Sequence, residues 1–397
     1  MTIARRHVLL SAAAAAVPAA ARAQPKRPVR IGILGDMNGP YADFAGPGAV
    51  IAARLAAEEE GAGSVEILSA DHQNKPDLAV SIARSWIDTQ GVDAIVECAT
   101  SGSALALQSL LREKERILLI AVAGSSDLTN KACSPFGFSF NCDTFALAHT
   151  TARAITALGG DSWFIISVDY AFGHALESDT TRFVKEAGGK VLGTVRHPLN
   201  TADFSSYLLT AQASGAKVIA LANAGTDARS AIKQAKEFGI PQAGQRLTAL
   251  LLFDTDVVAL GLAAAQDLLL STTFYWDLSD STRAWTKRFR QQKDQVPTMD
   301  QAATYAAVRH YLRAVQGTVL DAKSAAAAML SLPVNDMYND NVAIRKDGRV
   351  LSRMYLMQTK SPAASAYPGD IYRILSSTPG EQAFRPLAES QCSLVKA

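Results

Sequence analysis

The sequence has 397 residues, of which 48% are hydrophobic, 19% charged and 7% aromatic. A single hydrophobic core stops growing at roughly 250–300 residues, so this length suits two lobes, and the apolar content excludes wholesale disorder or a collagen-like fibre. Lys and Arg total 39 against 37 Asp and Glu with no basic block, which argues against a nucleic-acid surface, and no long apolar run follows the N-terminal segment to span a membrane.

Arg5-Arg6 precedes Val8-Leu9-Leu10, an Ala-rich stretch, Pro18 and the small-x-small sequence Ala21-Arg22-Ala23. Charged start, mild apolar stretch and cleavage site make residues 1–23 a signal peptide, cut before Gln24. The paired arginines favour twin-arginine export, with an ordinary secretory signal as the alternative. Either route delivers the mature chain to a compartment where disulfides persist. Cys98, Cys133, Cys142 and Cys392 allow three complete pairings, among which sequence alone does not choose. Cys133 with Cys392 ranks first because it would tie the tail to the body. Cys98, inside an apolar run, reads as a small buried hydrophobe.

Short Val/Ile/Leu-rich runs at Val29–Leu34, Val65–Ser69, Ala94–Cys98 and Ile117–Val122 read as buried parallel strands. Between them Pro76–Thr89 reads as an amphipathic helix, with Leu78, Ile82 and Trp86 on one stripe, Pro76 at its first turn and Gly91 as its stop. The pattern then restarts. Trp163–Val168, Val191–Val195, Val218–Ala222 and Leu247–Leu252 are strands, separated by helices near 172–187, 203–213 and 226–238. Gly91-Val92-Asp93-Ala94-Ile95-Val96 is echoed by Gly215-Ala216-Lys217-Val218-Ile219-Ala220, each leading into a small polar turn and a helix. Two similar doubly wound α/β halves with parallel sheets follow. Later come a strand at Leu268–Thr273, helices around 280–292, 300–316 and Ala322–Leu332, and β character over Val350–Gln358 after the Asp347-Gly348 turn.

Enzyme signatures are missing. Gly32-Ile33-Leu34-Gly35-Asp36-Met37-Asn38-Gly39 lacks the glycine spacing of a dinucleotide site, and there is no phosphate loop, G-x-S-x-G or H-E-x-x-H. His72, His149, His174, His197 and His310 are scattered, so no metal or other cofactor is expected. What remains are small polar turns at strand ends. Ala99-Thr100-Ser101-Gly102-Ser103 and Ala123-Gly124-Ser125-Ser126-Asp127 offer hydroxyls and free N–H groups on adjacent strands, a cradle for a carboxylate, although plain N-capping uses the same residues. Tyr41, Phe44, Phe172 and Tyr275-Trp276 fall on strand-end loops, as walls for a small organic solute or as loop packing. Asp227 reads as a helix cap and Asp254 as a contact for an ammonium group.

Ile31-Gly32-Ile33-Leu34-Gly35 followed by Asn38-Gly39-Pro40-Tyr41-Ala42-Asp43-Phe44-Ala45-Gly46 resembles the opening of leucine/isoleucine/valine-type (type I) periplasmic binding proteins. Thr100-Ser101-Gly102, Ser125-Ser126-Asp127-Leu128-Thr129, Asp169-Tyr170-Ala171-Phe172-Gly173 and Asp203-Phe204-Ser205 continue the resemblance in order over nearly the whole mature chain. It implies two α/β lobes joined by a three-segment hinge near Phe138–Asp143, Thr272–Trp276 and Ile344–Val350. Residues 27–141 plus 276–344 would form lobe I, 142–275 plus 345–378 lobe II, and 379–397 a C-terminal tail. It also implies a periplasmic, non-catalytic receptor that hands a small carboxylate-bearing solute to the permease subunits of an ABC importer. The ligand carboxylate would meet Thr100, Ser101, Ala123 and Ser125, with Tyr41, Phe44, Phe172 and Tyr275 around the ligand and Asp254 on its ammonium. Gly124-Ser125 stands where amino-acid binders often have Ala-Thr, and Leu221 and Asn223 occupy a region where a tyrosine often contributes, with Asn223 expected as a tenth ligand contact. The side-chain pocket is therefore altered, so a branched or hydrophobic amino acid and an aromatic acid both stay open as ligands. A sensory module for a membrane receptor, built on the same fold, is the alternative function, and an exported α/β enzyme a third.

Overall fold

The computed structural model describes residues 27–61, 65–316 and 321–396; the expected signal peptide lies outside the described residues. The chain first lays down β1 (Val29–Gly35), α1 (Gly46–Glu60), β2 (Val65–Asp71), α2 (Pro76–Gln90), β3 (Ala94–Cys98), α3 (Ser101–Glu113), β4 (Ile117–Ile120) and the short β5 (Gly137–Ser139). These strands form an all-parallel sheet in the order β2-β1-β3-β4-β5. The second unit repeats the plan with α4 (Thr144–Ala157), β6 (Ser162–Val168), α5 (Ala171–Glu186), β7 (Lys190–His197), α6 (Ser205–Ala213), β8 (Val218–Ala222), α7 (Gly225–Glu237) and β9 (Arg246–Ala249). Its parallel sheet runs β7-β6-β8-β9, so β3 and β8, which carry the internal sequence echo, hold equivalent places. Every residue of both strands is buried, which is why β8 reads as an unbroken apolar run and β3 as one interrupted only by Glu97. β7 instead alternates exposed and half-buried positions, as an edge strand with one covered face does.

Helix packing explains the local sequence choices. Gly91 closes α2 in the left-handed region at φ 62°, which costs glycine little. Gly32 in β1 lets Trp86 of α2 lie against the sheet; a Cβ there would come within 2.4 Å of the indole. The parallel sheets carry helices on both faces, as right-handed crossovers require.

The last third returns to both units. After α8 (Asp254–Leu260) and α9 (Leu262–Ala265), β10 (Leu269–Thr272) pairs antiparallel with β11 (Met354–Thr359), which pairs with β12 (Tyr372–Thr378). Between them α10 (Asp280–Arg290), α11 (Met299–Val315) and α12 (Ala322–Ser331) return to the first sheet, α11 lying along α1. The chain thus passes between units at 140–143, 273–279 and 351–353. The third passage follows the expected Ile344–Val350, because Arg349 bridges Ser139 at the edge of the first sheet and Ile344 bridges Val350. A final turn, α13 (Gly380–Ala383), precedes the tail, which Cys392 joins to Cys133; Cys98 and Cys142 are buried free thiols.

Candidate functional site

The carboxyl ends of both parallel sheets face one another, the place where open α/β sheets bind ligands. Loop 36–45 forms one wall. The buried Asp36 carboxylate accepts hydrogen bonds from Gly39 N (2.5 Å), Tyr41 N (3.0 Å) and Asn74 Nδ2 (2.7 Å), and so fixes the loop that carries Tyr41 and Phe44. The opposite wall comes from the starts of α5, α7 and α8. Tyr41 and Tyr170 share a hydroxyl–hydroxyl bond of 2.9 Å, and Phe44 stacks on Phe253 with ring centroids 4.0 Å apart. Gly225, at φ 60°, presses against loop 36–45 so closely that a Cβ would lie 2.6 Å from Pro40 O. At the rim Arg229 links Asp43 (3.1 Å) to Asp256 (2.8 Å).

A cavity of about 20 Å³ lies between the walls, lined by Tyr41, Phe44, Ser101, Tyr170, Phe172 and Asp300, with Gly124, Phe253 and four further apolar residues completing it. That is room for about one water. The two walls are therefore closed on each other. A larger hollow of about 360 Å³, around Lys236, Gln242 and Arg246, sits at the opposite, amino-terminal end of β9, away from the facing strand ends.

Of the ten residues expected from sequence, Tyr41, Phe44, Ser101 and Phe172 come together at this cavity. The other six are placed elsewhere, each for a definable reason. Thr100 caps α3: its hydroxyl accepts from Ser103 N at 3.4 Å and donates to Ser103 Oγ at 2.9 Å. Ser125 caps the 3-10 turn Ser126–Thr129 through Asp127 N. The Ala123 N–H donates to Glu97 Oε2 at 3.2 Å. Asn223 is buried with its Nδ2 3.0 Å from His197 Nε2. The Tyr275 hydroxyl donates to Gly369 O at 2.9 Å, and its ring packs on Trp276 and Tyr372. Asp254 is turned toward Tyr372, where burial raises its pKa to about 8. Asp227, read as a cap, accepts from Asn200 N at 3.1 Å, outside its own helix.

Glu97 is the residue that the expected cradle overlooked. Fully buried at the end of β3, its carboxyl takes the N–H groups of Ala99 (2.8 Å) and Ala123 (3.2 Å). Burial pushes its pKa up to about 8 against the pull of these amides. A lone acid within Ala94-Ile95-Val96-Glu97-Cys98 was the available signal, since a carboxyl in a buried strand needs partners. Asp300 gave no such signal. It reaches the cavity from the first turn of α11, behind the capping box of Thr298 and Gln301, and only the tertiary fold brings it to β3 and β4.

Comparison with known proteins agrees with this architecture. A family model described as periplasmic binding protein matches residues 28–365. The chain belongs to the periplasmic binding protein family. A periplasmic binding protein from Burkholderia mallei is 43% identical, with a TM-score of 0.90, over 92% of this chain and 99% of that one. A branched chain amino acid ABC transporter periplasmic ligand-binding protein from Burkholderia xenovorans is 37% identical, with a TM-score of 0.82, over 92% and 100%. Leu/Ile/Val-binding protein homolog 6 of Brucella melitensis is 27% identical over 63% of this chain, and the match spans 65% of that relative's length.

Proposed function

We propose that this chain is the periplasmic receptor of an ABC importer, reached by export through residues 1–23. It binds a small carboxylate-bearing solute between its lobes without chemical change and delivers it to the permease subunits. The observation that carries this reading is the cavity itself, walled by aromatic rings from two separate α/β units that touch directly through Tyr41–Tyr170 and Phe44–Phe253. Such a surface has one state in which the walls meet and another in which they part, and a solute favours the closed state by its differential affinity. Lobe I is residues 27–141 plus 276–350 and lobe II 142–275 plus 351–378, with 379–397 as a tail; the packing of α11 on α1, of α4 on β10 and β11, and the bridge from Arg349 to Ser139 support this division.

Tyr41, Phe44, Ser101 and Phe172 contact the solute, joined by Tyr170, Phe253 and Asp300. Thr100, Ala123 and Ser125 frame the turn that presents Ser101, while Asn223, Asp254 and Tyr275 support the lobe II wall from behind. The rings suit an apolar or aromatic body, so the ligand class is a hydrophobic or branched-chain amino acid or an aromatic acid. The name of the 37%-identical Burkholderia xenovorans relative supports the amino-acid member of that class. Thermal-shift measurements of the mature protein against amino acids and aromatic acids test this, because a native-state ligand raises the melting temperature by mass action. No shift with any member of either set would overturn it.

A further inference from the structure

Asp300 is 1% exposed, lines the cavity, and has one oxygen settled and one free. Oδ1 accepts a hydrogen bond of 2.7 Å from Asn141 Nδ2. The Asn141 amide cannot turn, because its Nδ2 also donates to Val122 O (3.1 Å) and its Oδ1 accepts from Cys142 N (2.8 Å). Oδ2 is buried without any hydrogen-bond partner among the described residues. A buried, unmatched polar atom is costly, roughly 1–3 kcal/mol, and on a residue that lines a cavity a ligand group can supply the match.

The surroundings decide which group. The ionisable neighbours of this carboxyl are Glu97 from β3 and Asp256 from α8, with Cys98, Cys142 and Tyr338 on the other elements around it and Tyr41 and Tyr170 across the cavity. The nearby cations are engaged elsewhere, Arg229 on Asp256 and Asp43 and Arg349 on Asn141 O and Asp143, and neither is bonded to Asp300. Burial accordingly drives its pKa well above the carboxylate range, with Asn141 pulling the other way and Glu97 and Asp256 adding to the rise. A neutral carboxyl whose Oδ1 already accepts carries its proton on Oδ2, the oxygen left free on a residue that lines the cavity.

Building on the solute reading above, we infer that Asp300 is a specificity-determining residue that donates a hydrogen bond from Oδ2 to a carboxylate oxygen of the bound solute. The contact is an acid–carboxylate pair sharing one proton in a water-poor space, where such O–H···O⁻ bonds are short and strong. It selects for a carboxylate, because an ammonium would meet a donor instead of an acceptor. Affinity for a carboxylate then falls as pH rises and Asp300 gives up its proton.

Two measurements test this. Infrared difference spectra of ligand-free wild type against Asp300→Asn are expected to contain a protonated-carboxyl band at neutral pH that the variant lacks; an ionised-carboxylate band in its place overturns the assignment whatever the solute. Calorimetric titration with benzoate, 4-hydroxybenzoate, L-leucine and L-phenylalanine then follows the tightest binder from pH 6 to pH 9. Wild-type affinity is expected to be highest on the acid side, where Asp300 keeps its proton, and to weaken toward the alkaline side. Asp300→Asn, which keeps a donor in place, should weaken binding by less than tenfold and flatten the pH profile, whereas Asp300→Leu should weaken it more than tenfold. Unchanged affinity in Asp300→Leu, or equal losses in both variants, overturns the role of Asp300 and leaves the receptor reading standing. Failure of all four probes with wild type overturns the carboxylate class and this assignment with it.

Discussion

Phe44 and Phe253 lie face to face across the cavity, 4.0 Å between centroids and 13° between planes, one ring from each α/β unit. An aromatic pair of this kind contributes about 0.5–1.5 kcal/mol beyond its burial, and the Tyr41–Tyr170 bond adds about 1 kcal/mol. Both contacts exist only while the walls touch. Phe253→Ala and Tyr41→Phe should therefore each move the ligand-free protein toward the open state, by up to roughly tenfold in the closed-to-open ratio. Small-angle scattering of the double variant should give a larger radius of gyration than wild type. Identical scattering profiles would mean that these rings do not hold the walls together.

Glu97 predicts a pH dependence of stability. Its folded-state pKa of about 8 lies above the ordinary 4.5, so the folded protein keeps a proton that the unfolded chain releases. The resulting stabilisation is complete below the unfolded value and is lost as pH rises through about 8. Asp254, raised to about 8 by burial, acts in the same direction. Wild-type melting temperature should decline between pH 5 and pH 9. Glu97→Gln should decline less steeply, yet start lower at pH 5, because its amide N–H₂ faces a backbone N–H donor at a cost of about 1–3 kcal/mol. An unaltered slope in the variant would show that Glu97 does not titrate in this range.

Burial also governs what could be read from the sequence. β3 and β8 have the bounds that the sequence suggests, because both faces are covered and small or polar residues close each run. β5 is only three residues long, too short to leave a pattern, and β12 carries exposed Arg373, Ile374 and Leu375 on an edge, so neither reads as a strand. In the site, the rings read on strand-end loops divide: Tyr41, Phe44 and Phe172 reach the cavity, whereas Tyr275 and Trp276 pack against each other and bond to Gly369 O. The roles of the Thr100 and Ser125 hydroxyls were not legible, since capping and solute binding ask for the same residue type and capping is the nearer partner. Phe253 and Asp300 depend on contacts between segments far apart in the chain, which no local pattern encodes.

The Cys133–Cys392 bond joins residues 259 apart in sequence. The tail that carries Cys392 also touches both units: Glu389 pairs with Arg182 of α5 at 2.7 Å, and Gln391 N donates to Asn130 Oδ1 at 2.6 Å. Closing so long a loop restricts the unfolded chain, and removing such a bond costs about 2–5 kcal/mol. Cys133→Ser with Cys392→Ser should lower the urea midpoint accordingly, and a reductant should lower that of wild type but not of the variant. A midpoint within error of wild type would make the bond dispensable.

Arg349 supplies the most demanding test, because it is 1% exposed and gathers the first passage between the units onto the third. Its guanidinium donates to Asp143 Oδ2 (2.9 Å), Asn141 O (2.5 Å) and Thr129 Oγ1 (3.3 Å), and lies over the Phe384 ring at 4.8 Å. Asp143 in turn caps α4 through Ala146 N at 2.9 Å. Arg349→Leu strands a buried carboxylate, which costs about 3–5 kcal/mol, far more than a surface pair would. Adding Asp143→Ser removes that charge while keeping a cap, so the double variant should regain part of the lost stability in urea titration. Asn141 both accepts from Arg349 and orients Asp300, so the single variant should also weaken solute binding by more than its surface counterpart Arg283→Leu, whose partners Asp277 and Asp280 lie outside the cavity. If Arg349→Leu and Arg283→Leu behaved alike in both assays, the passage at 140–143 would owe its position to the backbone alone.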